Sequence, residues 1–300
     1  MPSAVNIGLS TQTPFSEYPY VTTKEYRNSP NSLDIDNLVV NGNAEAQEAE
    51  LSNIILRASS FLDEYLNQNL TASTQVETQR TRFQANGFLA IHPNQSPIIS
   101  LDAFSYGAVP GQLVALTDLS PTWFEDQQFI VPTSNLTLTW SSQGPLSFGG
   151  MGATPNTQIY CQYTYTAGYV NNKIITAVAG DTEMVADPTG VQAGNVFRIY
   201  DGAKSETVTV ADTYEYGSST IPLTTPLLKD HSAGVTFGNM PNAIKQATLL
   251  VTNAFIKVRG DTSLTMNITT QPSTNIGNDQ RYGKDIALAL EMVNLYRRIR

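Results

Sequence analysis

The stretch that decides the fold is residues 44–70, AEAQEAELSNIILRASSFLDEYLNQNL. Its apolar residues recur at steps of three and four, which is typical of one face of an amphipathic helix. Glu45, Glu48 and Glu50 occupy its first turns, where the helix dipole favours negative charge. We therefore predict a long helix that buries one side. The residues of the apolar stripe are Leu51, Ile54, Ala58, Phe61 and Tyr65, with Ile55 and Leu62 beside them.

A β-rich region follows this helix. The pair Asn86-Gly87 separates two alternating runs, TQRTRFQA and FLAIHP, which is a strong signal for a β-hairpin. Alternating runs continue through residues 75–179, and Cys161 falls on the apolar face of one of them. Residues 180–240 carry short runs separated by Gly and Asp turns, which predicts a small β-barrel or sandwich. These runs span 182–186, 196–200, 206–211, 220–224 and 235–238.

Helical periodicity returns near the carboxyl end. Pro241 suits the first turn of a helix, and residues 242–258 follow with an apolar face. Beyond the polar stretch 261–280, residues 282–298 predict a final helix with basic residues at its end. We therefore predict an α+β fold, in which a small module of three main helices holds a large β-rich insertion, a hairpin-built sheet plus the small barrel or sandwich. The predicted divisions are an extended arm (1–43), the helical module (44–74 and 241–300), a β-rich region (75–179) and a small β subdomain (180–240).

Composition and charge exclude several classes of function. Only 14% of the 300 residues are charged, which indicates extended polar surface or large contacts with other subunits. The net charge of −9 argues against sequence-specific nucleic-acid binding, which needs clustered Lys and Arg. The single cysteine allows no disulfide within the chain. No segment reaches the length of a membrane span or matches an export signal, so we expect a protein made and folded in the cytosol.

The sequence offers no convincing catalytic, cofactor or metal site. His92 and His231, the only histidines, lie in turns, where a structural role is expected. Asp34 and Asp36 begin like a calcium-binding loop, but apolar residues follow where ligands should stand, so we interpret them as turn or cap residues. The glycine-rich run at 149–152 lacks the pattern of a dinucleotide site. We therefore predict a protein that is not an enzyme and has no cofactor or metal.

The N-terminal arm carries aromatic residues between prolines. Such arms commonly lie on a neighbouring subunit, and packing on the chain's own core is the equally weighted alternative. The residues predicted to make this inter-subunit contact are Phe15, Tyr18, Tyr20 and Tyr26.

Taken in order, these segments resemble the head–tail connector (adaptor) proteins of tailed bacteriophages. The resemblance covers both helical ends and touches the middle, and it rests on element order and short patterns. The β-rich middle is larger than in the minimal connector. The segments are IILRASSFLDEYLNQ (54–68), RFQANGFLAIHPNQSPIISLDAFSYG (82–107), YTYTAGYVN (163–171), IPLTTPLLKDHSAGV (221–235), PNAIKQATLLVTNAFIKVRG (241–260) and IALALEMVNLYRRI (286–299).

The resemblance implies a structural protein of the virion neck. Such connectors form a ring, generally of twelve copies, beneath the portal. The expected partners are the portal protein, a tail-side neck or tail protein, further copies of the chain, and genomic DNA that passes through the lumen without sequence-specific binding. The expected location is the virion neck, with assembly in the host cytoplasm and no contact with membrane.

The basic end of the chain is the predicted contact with the portal or another partner. Three roles are open for its arginines: contact with an acidic surface of a partner, contact with passing DNA, or only a favourable charge at the end of the helix. We expect removal of residues 282–300 to abolish portal attachment and to leave the fold intact. The predicted contact residues are Tyr282, Lys284, Tyr296, Arg297, Arg298, Ile299 and Arg300.

An alternative function is that of another tail or baseplate structural protein whose β region binds a partner protein or carbohydrate. Carbohydrate binding would need exposed aromatic side chains on the strands of 180–240. The available aromatic residues are Phe197, Tyr200, Tyr214, Tyr216 and Phe237.

Overall fold

A computed structural model describes residues 19–36, 38–82, 84, 88–125, 127–132, 137–140, 144–147, 158–258 and 280–298. Within these residues lie four α-helices: α1 (Thr23–Arg27), α2 (Ala44–Leu66), α3 (Asn242–Val258) and α4 (Gln280–Val293). The strands are β1 (Ser73–Arg82), β2 (Phe88–Ile91), β3 (Ile98–Val109), β4 (Gln112–Ala115), β5 (Trp123–Glu125), β6 (Gln128–Pro132), β7 (Thr137–Trp140), β8 (Gly144–Ser147), β9 (Gln158–Ala167), β10 (Asn171–Thr176), β11 (Glu183–Ala186), β12 (Val196–Tyr200), β13 (Glu206–Thr209), β14 (Thr220–Pro222) and β15 (Thr236–Gly238).

The predicted fold class is wrong. The chain is mostly β, with several sheets, a half-barrel and 27% helix. Its described residues form two compact units, one from residues 72–168 and one from 19–71 together with 169–298. Helices α2, α3 and α4 share the second unit with a six-stranded sheet, so they do not form a helical module that carries a β insertion. Periodicity located these helices correctly, but it reports which face of a helix is buried and not what buries it.

The first unit is built from antiparallel strands. Its largest sheet has the order β1-β9-β3-β4, and a smaller sheet has the order β2-β6-β5. Asn86 and Gly87 of the predicted hairpin lie outside the described residues. In the described part, β1 pairs with β9 along ten residues and β2 pairs with β6, while the Gln84 N–H donates to the Phe88 carbonyl at 3.0 Å between the ends of β1 and β2. An Asn-Gly signal predicts a local turn, whereas the pairing follows the faces that can be buried together. The shared core includes Phe104, Phe129, Cys161 and Tyr163, which confirms the predicted core position of Cys161.

The sheet of the second unit has the order β13-β12-β15-β10-β11-β14. The five strands predicted between 180 and 240 are confirmed, and β10 joins them. The two edge strands meet, since Val210 and Leu223 form a bridge and the Thr224 N–H donates to the Thr209 carbonyl at 2.9 Å. Buried residues of alternate strand positions, among them Phe197 and Phe237, fill the space that the sheet encloses.

The helices of the second unit pack around two apolar cores. The predicted stripe of α2 is confirmed: Leu51 is fully buried in one core, Ala58 is fully buried in the other, and Phe61 and Tyr65 are partly buried against that second core. Asn43 caps the first turn by accepting a hydrogen bond from the Ala46 N–H at 2.8 Å. Residues of all three long helices meet in this second core: Ala58, Leu62 and Leu66 of α2, Ile244, Ala247 and Val251 of α3, and Ala289 and Val293 of α4.

Candidate functional site

The candidate site is the outward face of α4 and the residues that follow it. Leu288 is 50% exposed and Leu295 is 92% exposed, and the two lie seven residues apart. Lys284 and Arg297 are exposed beside them. Apolar side chains bordered by bases on one exposed surface are typical of a contact with another molecule. We call this the C-terminal surface, and it consists of Lys284, Ala287, Leu288, Glu291, Leu295 and Arg297.

The opposite face of α4 belongs to the core. Ile286 is 2% exposed, and Ala289 and Val293 are fully buried against α2 and α3. Removal of residues 282–300 would uncover that core, so we expect this deletion to destabilise the second unit as well as to remove the C-terminal surface. Point changes on the outer face are therefore the proper test of its role.

The end of the chain docks on the last turn of α2. The Arg298 N–H donates to the Leu66 carbonyl at 2.9 Å, which satisfies one of the free carbonyl groups at the helix end. The side-chain amide of Gln68 donates to the Tyr296 carbonyl at 2.7 Å, and the side-chain amide of Asn67 donates to the Arg298 carbonyl at 3.4 Å. These bonds fix the path of the backbone that presents Leu295 and Arg297.

Aromatic contacts reinforce this docking. The Arg297 guanidinium lies 5.0 Å from the centre of the Tyr65 ring, and the Tyr65 hydroxyl donates to Asn294 at 3.2 Å. The rings of Tyr169 and Tyr296 meet edge to face at 6.1 Å. Burial, with Tyr296 nearby, raises the pKa of Tyr169. Of the predicted contact residues, Tyr296 therefore serves the fold of its own chain, while Arg297 remains exposed.

The sequence prediction found the bases of the C-terminal surface and missed its leucines. Leu288 and Leu295 lie outside the buried stripe of α4, and that offset was the available signal. Lys284 is exposed and Arg298 is half-buried, and their contact with a partner stays a prediction. The Tyr282 side chain, Ile299 and Arg300 lie outside the described residues.

The predicted arm residues lie in two different situations. Tyr20 and Tyr26 are buried in the core of their own chain, at 0% and 1% exposure, which is the alternative left open by the sequence. The Tyr26 hydroxyl donates to Asn253 of α3 at 2.6 Å, and the Tyr20 hydroxyl donates to Asp63 of α2. Phe15 and Tyr18 lie outside the described residues, so their contact with a neighbouring subunit stays a prediction.

A group of charges, three buried and one half exposed, lies elsewhere in the second unit. The ring of His231 bonds two carboxylates: Nδ1 lies 3.1 Å from Asp201 and Nε2 lies 2.7 Å from Glu206. Lys24 of α1 reaches the other oxygen of Asp201 at 2.5 Å. The histidine side chain has no exposed surface, and the carboxylate side chains are 4% and 7% exposed. We call these four residues the charge cluster.

Burial and hydrogen bonding shift the pKa values of the two carboxyl groups in the charge cluster in opposite directions. Burial raises the pKa of Asp201, but hydrogen bonds from Lys24 and His231 outweigh it and leave that pKa below its usual value. Burial likewise raises the pKa of Glu206, while the N–H groups of Leu228 and Lys229 and the His231 ring bring it below its usual value.

The charge cluster predicts a loss of stability in acid. A carboxyl group whose pKa is lower in the folded state stabilises the fold above its unfolded pKa of about 4, and this contribution is lost as pH falls through the folded pKa. Below about pH 4, we expect the free energy of unfolding to decrease less in Asp201→Asn than in the unchanged chain. Urea unfolding at stepped pH measures this difference, and the exposed Asp212→Asn provides the control. Equal acid sensitivity of all three chains would contradict the assignment.

The other motifs of the sequence behave structurally. His92 is exposed, and the Asp36 N–H donates to the Asp34 carboxylate at 3.0 Å, which confirms the interpretation as a turn. Burial raises the pKa of the Cys161 thiol well above its usual value. In the part of the chain that the structure describes, no group of three or more His, Cys, Asp or Glu residues could hold a metal ion.

The aromatic residues named for carbohydrate binding are mostly turned inward. Phe197, Phe237 and Tyr214 are buried and Tyr200 is half-buried, whereas Tyr216 is 52% exposed. Of these five side chains, only Tyr216 presents an open ring.

Comparisons with protein-family models, with curated proteins and with solved structures found no match for this chain. Among the described residues, no helix has the length and apolar character needed to cross a membrane.

Proposed function

We propose that this protein is a non-enzymatic structural subunit of a bacteriophage virion neck. In this proposal, copies of the chain form a ring, generally of twelve, between the portal protein and the tail. The ring extends the channel for genomic DNA and docks the next tail component. The subunit is made in the host cytoplasm and remains in the neck of the virion. The order of the quoted sequence segments supports this assignment to the neck.

The observation that carries the proposal is the pair of exposed leucines on the C-terminal surface. Burying a leucine side chain against a partner stabilises a complex by about 1.5–3 kcal/mol relative to leaving it in water. Leu295, at 92% exposure, has nearly all of its surface left to bury, and Leu288, at 50%, has half. The backbone beneath Leu295 is fixed by its bonds to α2, so little ordering cost opposes such a contact.

The charges around these leucines favour a protein partner over DNA. Lys284 and Arg297 suit acidic groups of a partner and Glu291 suits a basic group, and such complementarity speeds association and sets orientation. DNA binding rests on many phosphate contacts, and a chain of net charge −9 with a few bases at one end supplies too few. The portal protein is the partner that we assign to this surface, and DNA passes through the lumen without specific contacts.

Ring closure places a further demand on the subunit. Identical copies that close into a ring use a head-to-tail interface, so two different faces of each copy must match. In this proposal the C-terminal surface faces the portal, and other faces of the subunit make the contact between neighbouring copies. Changes on the C-terminal surface should reduce portal attachment without changing how copies meet each other.

The proposal predicts the effect of placing charge on the C-terminal surface. We expect the double variant Leu288→Asp with Leu295→Asp to bind portal rings at least about 100-fold more weakly, because two apolar contacts are lost and acidic side chains replace them. Binding is measured by co-sedimentation with purified portal rings of the same phage, and electron microscopy shows whether a second ring is present.

The matched control is Leu228→Asp, which changes a leucine of 79% exposure in the connection between β14 and β15. This control should bind portal rings as the unchanged chain does. Both variants should keep the circular dichroism spectrum of the unchanged chain, since all three side chains point into solvent. Unchanged binding of the double variant to portal rings would contradict the proposed role of the C-terminal surface.

A further inference from the structure

Three polar side chains are buried together where α1, α3 and strand β10 of the second unit meet. The Lys245 Nζ atom on α3 lies 2.6 Å from a carboxylate oxygen of Glu25 on α1 and 3.1 Å from the side-chain oxygen of Asn171 in β10. Asn171 is 4% exposed, and the side chains of Lys245 and Glu25 are 9% and 11% exposed. We call Glu25, Asn171 and Lys245 the buried triad.

The side-chain amide of Asn171 presents its carbonyl group to Lys245. Its nitrogen donates to the backbone carbonyls of Pro19 at 3.2 Å and Tyr20 at 3.3 Å, and these bonds decide which end of the amide is oxygen. The oxygen contacts the Lys245 Nζ atom, so the carbonyl carbon, one bond further on, lies beside that atom as well. A nitrogen nucleophile held next to a carbonyl carbon is the arrangement that amide formation requires.

The surroundings of Lys245 favour the uncharged amine, which is its reactive form. Burial lowers the pKa of Lys245, and the charge of Glu25 opposes this shift without cancelling it. A desolvated lysine with a lowered pKa is an activated nucleophile. The Glu25 carboxylate, 2.6 Å away, is placed to accept the proton that the ammonium loses.

We propose that Lys245 and Asn171 form an amide bond with each other, an isopeptide cross-link within the chain, with Glu25 as the group that transfers protons. Glu25 takes a proton from the ammonium, and the neutral Nζ atom attacks the Cγ atom of Asn171. The bond between Cγ and Nδ2 of Asn171 then breaks, and ammonia leaves. Of the three protons of the ammonium, one stays on the new amide nitrogen, one leaves on the ammonia and one remains on Glu25. The reaction needs no further reactant.

The ion pair between Lys245 and Glu25 is the resting state of the buried triad, so the reaction is slow. Only molecules with a neutral amine can react, and the carboxylate of Glu25 favours the ammonium. A newly folded chain therefore carries the ion pair, and the cross-link accumulates afterwards. The bond joins α3 to β10 and constrains the unfolded chain between residues 171 and 245, as a disulfide would. The cross-link does not rest on the proposed neck function, because it forms once within an isolated chain.

Mass spectrometry of the isolated full-length chain tests the cross-link. The folded chain is held for several days in mildly alkaline buffer, and we expect most of it to lose the mass of one ammonia molecule. A proteolytic digest should then contain a branched peptide that joins Asn171 to Lys245. A succinimide at an Asn-Gly pair such as Asn41-Gly42 also releases ammonia, but it joins no two peptides. Absence of the branched peptide would overturn the proposal, and this measurement needs no variant to fold.

The same chain held unfolded in guanidinium chloride is the first control. It should form no branched peptide, because only the fold brings the three side chains of the buried triad together. Equal amounts of the branched peptide in folded and unfolded chains would refute an origin in the geometry of the site.

Variants of the buried triad test the role of each group. Lys245→Arg keeps a cation beside Glu25 and removes the amine, so it should form no branched peptide. Glu25→Gln keeps both reacting groups and removes the proton acceptor, so it should form the branched peptide at least about 100-fold more slowly. Lys257→Arg changes a lysine that pairs with Asp285 and should react as the unchanged chain does. An unchanged rate in Glu25→Gln would contradict the role of Glu25, and circular dichroism shows that each variant is folded.

Discussion

Replacing Gly238 by alanine is expected to destabilise the second unit by about 3 kcal/mol, the upper range for forcing extra atoms into a packed core. Gly238 lies in β15 between β10 and β12, where it pairs with Asn171 and Arg198. A Cβ atom at this position would lie 1.9 Å from the Val170 carbonyl oxygen and 2.6 Å from its carbon. Both neighbours are backbone atoms, so the strands would have to separate to make room.

The matched control is Gly111→Ala. A Cβ atom at Gly111 would have no other atom within 4 Å, so its cost should stay within about 0.5 kcal/mol. Urea unfolding followed by circular dichroism measures both variants, with the transitions of the two units fitted separately. Equal stability of the two variants would mean that β10 and β15 do not approach each other as closely as the structure shows.

Gly238 also illustrates what the sequence could and could not predict about the fold. The alternating run 235–238 predicted a strand, and the strand is present as β15. Nothing in that run indicates that Val170, far away in the sequence, contacts its last residue. Periodicity describes the environment of a side chain one element at a time, whereas pairing depends on which elements can share a buried face.

The same limit explains the error in fold class. Asn86-Gly87 predicted a local turn, and nothing near it in the sequence indicated that β1 pairs with β9 along ten residues. The three long helices were located from their apolar stripes. Their placement in one unit with the six-stranded sheet depends on polar contacts such as those of Lys245, which no stripe reveals.

The basic residues of the candidate site could be predicted from the sequence, and its leucines could not. Charge in the last twenty residues drew attention to Arg297, and charge is visible in a sequence without any structure. The exposure of Leu288 and Leu295 became clear only when Ile286 and Val293 had been placed in the core. The charge cluster could not be predicted from the sequence, because residues 24, 201, 206 and 231 come together only through the fold.

A second buried ion pair fastens α1 to α3 and the sheet. The Lys245 ammonium donates to Glu25 at 2.6 Å and to Asn171 at 3.1 Å, and it lies 3.7 Å from the centre of the Tyr200 ring. The side chains of Lys245 and Glu25 are 9% and 11% exposed. Burial lowers the pKa of Lys245, while the charge and hydrogen bond of Glu25 act in the opposite direction. The ammonium is therefore held by its partners against a cost of desolvation.

Replacing Lys245 by methionine is expected to destabilise the second unit by about 3 kcal/mol, because it leaves the Glu25 carboxylate buried without a cation. Methionine nearly preserves the volume of the side chain, so packing contributes little to this loss. The exposed pair Arg57–Glu50 is the control: its side chains are 53% and 33% exposed, and Arg57→Met should cost less than about 0.5 kcal/mol.

A double-mutant cycle separates the loss of the pair from the cost of an isolated charge. Glu25→Gln combined with Lys245→Met removes both charges, so the double variant should recover much of the stability that Lys245→Met loses. Urea unfolding of the four chains gives the coupling free energy. Additive effects of the two single changes would show that the ammonium and the carboxylate do not interact in the folded protein.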